Sequence, residues 1–146
     1  MDVTGPSGSS EPTESALRIL ALDDDPVNMS LIRAIVSRAS DPAIRGATMH
    51  EATTLAAARA VLAREPIDIL LLDVHLPDGL GLDLATDLRR DEVDIKIVAL
   101  TASVLPADQQ AALAAGCDAF LAKPYPAAAL VAAIGELARG RAGESS

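Results

Sequence analysis

The chain has 146 residues, half of them hydrophobic, with one Phe, one Tyr and no Trp, so one domain with an aliphatic core is expected. Its net charge is −9 with no basic cluster, which excludes a binder of phosphate backbones and points to proteins or cations as partners. A single cysteine excludes an intrachain disulfide and suits a reducing cytoplasm, and no apolar run approaches the ~18 residues of a membrane span.

The first 15 residues are rich in Gly, Ser, Pro, Thr and Glu and lack periodicity, so a disordered tail is expected there. They carry no basic region followed by an apolar segment, so they do not form a signal peptide. One folded domain is expected over residues 16–140, and a second short tail over 141–146.

Within the domain, strand and helix signals alternate five times. The first strand is Arg18–Leu22. Asp25 then caps a helix with Pro26 at its first position, and Val27, Leu31, Ile32, Ile35, Val36 and Ala39 follow at helical spacing. Asp41-Pro42 stops that helix. Ile44–His50 reads as a weak second strand. Thr53 or Thr54 caps a helix carrying Leu55, Ala58, Val61 and Leu62. Ile67–Leu72 is a nearly continuous apolar strand, which marks a central position.

A Pro77-Asp78-Gly79 turn follows, then a helix with Leu84, Ala85 and Leu88 on one face. The fourth strand is Ile95–Leu100. The fourth helix spans about Pro106–Ala115, with a thin apolar stripe, and Gly116 closes it. Cys117 beyond it reads as a small core residue. Ala119–Ala122 is a short fifth strand. The last helix carries Leu130, Val131, Ile134, Leu137 and Ala138 and is expected to end near Gly140. Five βα units, short of a barrel's eight, predict an α/β doubly wound parallel sheet with helices on both faces.

Polar residues stand at the ends of these strands: Asp23-Asp24, Asp73, Thr101 and Lys123. In an open α/β sheet the carboxyl ends converge on one crevice. Three carboxylates, a hydroxyl and an ammonium there suit a divalent cation and a phosphoryl group. Oxygen donors with no His/Cys set point to a hard ion such as Mg²⁺. Asp73 ends the most apolar strand, and a carboxylate can attack phosphorus to give an acyl phosphate. A cation and a lysine would neutralise the growing charge. Ala102 leaves room beside the Thr101 hydroxyl. Lys123-Pro124 is a candidate cis bond that would aim the lysine inward. Each residue alone has a blander reading: acidic turn, helix cap or surface lysine. Ser103 is read as a cap of the fourth helix.

The segments Ile19-Leu20-Ala21-Leu22-Asp23-Asp24-Asp25-Pro26-Val27-Asn28, Asp68 to Gly81, Ile97 to Ala102 and Gly116 to Pro124 together resemble the response-regulator receiver domain of two-component signalling. The resemblance covers about Leu17 to Ala138. It implies a flavodoxin-like sheet of order 2-1-3-4-5. It also implies that Asp73 accepts a phosphoryl group from a histidine kinase or a histidine phosphotransfer protein. By the same resemblance Asp24 binds Mg²⁺ (or Mn²⁺) directly, Asp23 does so through water, and His75 adds its backbone carbonyl. Thr101, Ala102 and Lys123 contact the phosphoryl group, and Thr101 and Phe120 form a switch. Leu80 departs from the acidic residue frequent before the loop glycine, Gly81, at a position without a chemical role.

The chain ends without an output domain, so the expectation is a standalone receiver acting by protein contact, as a monomer or a phosphorylation-dependent dimer. Its predicted contact surface is the fourth helix, fifth strand and fifth helix. A phosphohydrolase using an aspartyl phosphate is a second reading, but it needs an acid two residues after the nucleophile, where His75 stands. A receiver-like module that is never phosphorylated usually lacks the Asp pair, the acceptor or the lysine, all present here.

Overall fold

Strand β1 (Arg18–Leu22) is apolar from Ile19 onward and fully buried there, as a strand covered on both faces must be. The computed structural model describes residues 16–103 and 105–145; side chains are described only to residue 140. The expected tail over residues 1–15 lies outside the described residues.

Helix α1 (Pro26–Arg38) starts where predicted: the Asp25 carboxylate accepts from the Val27 N–H, and Pro26 opens the first turn. Strand β2 (Thr48–Ala52) leads to α2 (Leu55–Arg64), capped by Thr54, whose hydroxyl accepts from the Ala57 N–H. Strand β3 (Ile69–Asp73) is followed by a two-residue hairpin, β4 (His75–Leu76) and β5 (Gly79–Leu80), and by α3 (Gly81–Arg90). Strand β6 (Lys96–Thr101), α4 (Pro106–Ala114), β7 (Ala119–Ala122) and α5 (Ala127–Ser145) complete the chain.

The main sheet has five parallel strands in the order β2-β1-β3-β6-β7, which is the predicted 2-1-3-4-5 arrangement once the hairpin is set aside. Alternation along the strands divides the core. Ile19, Ala21, Ile69, Leu71, Val98 and Leu100 pack on one face with residues of α1 and α5. Leu20, Leu22, Leu70, Leu72, Ile97 and Ala99 pack on the other with α2, α3 and α4. Each fully buried Leu or Ile contributes roughly 1.5–3 kcal/mol.

Several boundaries differ from expectation: β3 and β6 begin at Ile69 and Lys96 and end at Asp73 and Thr101, and a short hairpin replaces the simple turn after β3. The second strand begins at Thr48, not Ile44. Ile44 is buried, but in a turn held by Asp41, whose carboxylate accepts from the Ala43 N–H, and Gly46 at φ 84° breaks the extended path. Its apolarity reports a core plug rather than a strand. The first helix ends at Arg38, before Asp41-Pro42. The last helix continues to Ser145 rather than ending near Gly140.

Two acidic residues hold the fold from a distance. Asp68 is buried and accepts from Arg18 three times: from the backbone N–H and Nε on Oδ2 (2.9 and 3.0 Å) and from Nη2 on Oδ1 (2.9 Å). This ties the start of β1 to the start of β3. Asp78, in the hairpin loop, accepts from the N–H groups of Leu55 and Ala56 (2.9 and 3.1 Å) and so caps α2 from another element.

The Leu55 N–H holds the Asp78 carboxyl below its ordinary value, against an opposing effect of burial, with Ala56 adding to the depression. A depressed carboxyl stabilises the fold above its unfolded pKa and loses that contribution as pH falls through the folded value. Asp78→Ala should therefore melt below wild type at neutral pH. The gap should be full above the ordinary value of 3.8 and close in more acidic buffer, as read by thermal melts across pH.

Cys117 is buried, and burial pushes its thiol up to about 11, with the neighbouring Asp118 carboxylate adding to the effect. The thiolate is the reactive form. At pH 8 the native protein should react with a chromogenic disulfide reagent at least ~100-fold more slowly than the denatured chain, because the folded thiol must both open and ionise.

Candidate functional site at the carboxyl ends of the strands

Each strand delivers its last polar residue to the same edge because the strands are parallel and in register. Asp23 continues β1, with its N–H donating to the Ala52 carbonyl (3.0 Å). Asp73 pairs with Leu100, and Thr101 pairs with Ala122, so Lys123 follows one step beyond. The Lys123–Pro124 peptide is cis.

The side chains of Asp23, Asp73 and Lys123 meet. The Lys123 ammonium lies 3.1 Å from Asp23 Oδ2 and 3.4 Å from Asp73 Oδ2. Asp23 is completely buried, and its Oδ1 accepts from the Asp25 N–H (2.8 Å). Its Oδ2 also accepts from Asn28 Nδ2. Asp73 Oδ1 accepts from the His75 N–H (3.2 Å). Asp24 is exposed at the mouth. Carboxylate oxygens of Asp23, Asp24 and Asp73 lie within 4.8 Å of one another, close enough to share one cation. The donors are oxygen only, which fits a hard divalent ion.

Three carboxylates face one ammonium, and the electrostatics follow. Burial raises the pKa of Asp73; Lys123 opposes this, and the Asp23 charge adds to the rise. Burial pulls the Lys123 ammonium down, but the hydrogen bond to Asp23 and the charges of Asp73 and Asp23 outweigh it, so its pKa is raised.

Gly81 shapes the back of the site. A Cβ at this position would lie 2.0 Å from the Asp73 carbonyl oxygen. Its N–H donates to the Val74 carbonyl (2.7 Å), which folds the hairpin against the end of β3. Only glycine allows that approach.

Other predicted residues sit near the cluster in different ways. Thr101 is buried; its carbonyl accepts from the Lys123 N–H (2.7 Å), while its hydroxyl accepts from the Ser103 N–H (3.0 Å). The Ser103 hydroxyl donates to Asp108 in the first turn of α4 and accepts from the Leu105 N–H (3.2 Å), but the N-cap of α4 is Leu105 and no side chain caps the helix, so Ser103 is not the cap expected of it. Ala102 is exposed. Phe120 is half-buried, and with Thr101 it lines a cavity of about 160 Å³ bounded also by Val74, Leu82 and Ala112. The His75 side chain is exposed, and His50 is half-buried on the edge strand β2.

Two residues were not foreseen as part of the site. Asn28, on the first turn of α1, reaches back to Asp23, and the Tyr125 hydroxyl donates to Asn28 Oδ1 (3.2 Å). Burial raises the Tyr125 pKa. The available signals were an amide one helical turn after the Asp pair and a lone tyrosine directly after Lys123-Pro124.

Comparison with known proteins is consistent with this geometry. The chain is 35% identical over 112 residues to the photosynthetic apparatus regulatory protein RegA of Rhodovulum sulfidophilum, covering 77% of this chain and 57% of that protein. It is 29% identical to the polar-differentiation response regulator DivK of Brucella ovis, covering 73% of this chain and 83% of that protein. The crystal structure of a CheY-like response regulator receiver domain protein from Methanospirillum hungatei JF-1 superposes with a TM-score of 0.77 at 25% identity, covering 88% of this chain and 98% of that one. The family profile of the response regulator receiver domain matches residues 19–135, and the chain belongs to that family of two-component signalling domains.

Proposed function

We propose that this chain is a standalone receiver that takes a phosphoryl group onto Asp73 from a histidine kinase or a histidine phosphotransfer protein, in a Mg²⁺-dependent reaction. The observation that carries this reading is the Lys123 ammonium held between Asp23 and Asp73 beside a cluster of three carboxylates. A carboxylate oxygen of Asp73 attacks the phosphorus of the donor's phosphoimidazole. The P–N bond breaks, the donor imidazole leaves, and an acyl phosphate remains on Asp73. Asp23, Asp24, Asp73 and the His75 carbonyl would hold Mg²⁺ or Mn²⁺, which when bound supplies charge neutralisation at the phosphoryl oxygens. Lys123 stands ready to pair with a phosphoryl oxygen.

Under this reading the Thr101 hydroxyl leaves the Ser103 N–H for the phosphoryl group, with Ala102 beside it. The cavity shared by Thr101 and Phe120 offers the aromatic ring space to turn inward. The output passes to a protein partner, through a face formed by α4, β7 and α5. Leu105 and Leu113 support that choice, being 62% and 52% exposed. The chain would be a stoichiometric acceptor in the cytoplasm, monomeric or dimerising on phosphorylation, with no nucleic-acid or membrane partner. Among the described residues no helix is long and apolar enough to cross a membrane.

The test is incubation with acetyl phosphate, with Mg²⁺ or with EDTA, followed by intact-mass measurement. A gain of one phosphoryl group with Mg²⁺ alone is expected. No gain in either condition would overturn the proposal.

A further inference from the structure

We propose that Asn28 and Tyr125 form a positioning relay for the cation site, in which the Tyr125 hydroxyl fixes the Asn28 amide and Asn28 aims the Asp23 carboxylate. This rests on the proposed cation site above.

A carboxylate offers about four lone-pair positions. On Asp23 three are taken: the Asp25 N–H on Oδ1, and Asn28 Nδ2 and Lys123 Nζ on Oδ2. The carboxylate therefore cannot rotate without breaking a bond, and the remaining position lies on Oδ1. Asn28 contributes only if its NH₂ end, not its carbonyl end, faces Asp23. A flipped amide would set its oxygen against the carboxylate.

Tyr125 reinforces that orientation, which the acceptor-only carboxylate already favours. Its hydroxyl donates to Asn28 Oδ1 at 3.2 Å, which holds the carbonyl end away from Asp23. The ring is only 8% exposed and packs in the cluster that contains Leu130 and Ile134, so the hydroxyl is held by packing rather than by solvent. A phenylalanine would fill the same space and leave Asn28 Oδ1 without its donor, so the amide and the carboxylate it aims are held less firmly. The relay links the loop before α5 to the first turn of α1, and Tyr125 touches no reacting atom.

Groups that orient a metal ligand through hydrogen bonds typically change affinity by ~10–100-fold. Asn28→Ala should weaken Mg²⁺ binding by about 10-fold, and Tyr125→Phe, one bond further out, by about 3-fold or more. Because Tyr125 acts through Asn28, the double variant should bind no more weakly than Asn28→Ala alone.

Calorimetric titration of Mg²⁺ into the unphosphorylated full chain reads these affinities without any activity. Melting in EDTA accompanies it, and Tyr125→Phe should melt within a few degrees of wild type while its Mg²⁺ affinity falls. Saturable binding by wild type with unchanged affinity in Tyr125→Phe overturns the relay alone. Additive effects in the double variant also overturn it. No saturable binding by wild type overturns both the cation site and the relay. If Asn28→Ala fails to fold, Tyr125→Phe decides the question alone, since it keeps the ring.

Discussion

Lys123→Ala should destabilise the metal-free protein by about 3 kcal/mol, the lower end of the cost of removing one partner from a buried ion pair. The lysine side chain is 24% exposed, which moderates the effect, but Asp23 is fully buried and Asp73 nearly so. Without the ammonium, three carboxylates face one another with no compensating cation. Mg²⁺ should therefore raise the melting temperature of the variant more than that of wild type, because the ion no longer competes with a fixed positive charge. Loss of the ammonium should also slow phosphorylation by acetyl phosphate about 100-fold, as for other single charge-stabilising donors. Thermal melts with and without Mg²⁺, together with a phosphorylation time course, check both parts. A variant as stable as wild type and indifferent to Mg²⁺ would sink the expectation.

Gly81→Ala should be comparably damaging for a different reason. The added methyl would sit 2.0 Å from the Asp73 carbonyl oxygen and 3.1 Å from Leu72 Cδ1. The first obstacle is backbone, so relief requires moving the end of β3 or the start of α3. Overpacking of this kind costs roughly 1–3 kcal/mol, and a blocking backbone atom places this case at the upper end. The same shift displaces the Asp73 carboxylate, and a misplacement of about 1 Å can lower a reaction rate ~100-fold. Gly140→Ala is the control: it has no neighbour within 4 Å and lies in a helix, so it should be neutral or stabilise by about 1 kcal/mol. Chemical denaturation and phosphorylation rates of the two variants should separate sharply.

What the sequence disclosed and what it concealed divide by range. Asp25-Pro26 announced the start of α1 because a cap acts on the next two residues. The apolar runs Ile19–Leu22 and Ile69–Leu72 announced buried parallel strands, and parallel strands place their last residues on one edge. With the short run Ala119–Ala122, that places Asp23, Asp73 and Lys123 on one edge. Asp78 was hidden because its partners, Leu55 and Ala56, lie over 20 residues earlier. Asp68 and Arg18 are separated by 50 residues, and Tyr125 and Asn28 by 97. No local pattern encodes such pairs. Ile44 misled because an apolar residue plugging a core from a turn has the same composition as one in a strand.

The identity of the phosphorylated atom is the point on which the functional reading turns. Protein incubated with acetyl phosphate and Mg²⁺ can be reduced with borohydride, which converts an aspartyl acyl phosphate to homoserine and leaves unmodified carboxylates intact. Peptide mass spectrometry then locates the change. Homoserine at position 73, absent from Asp73→Asn treated identically, is the predicted result. Homoserine at another aspartate, or labelling of the variant equal to wild type, would contradict it.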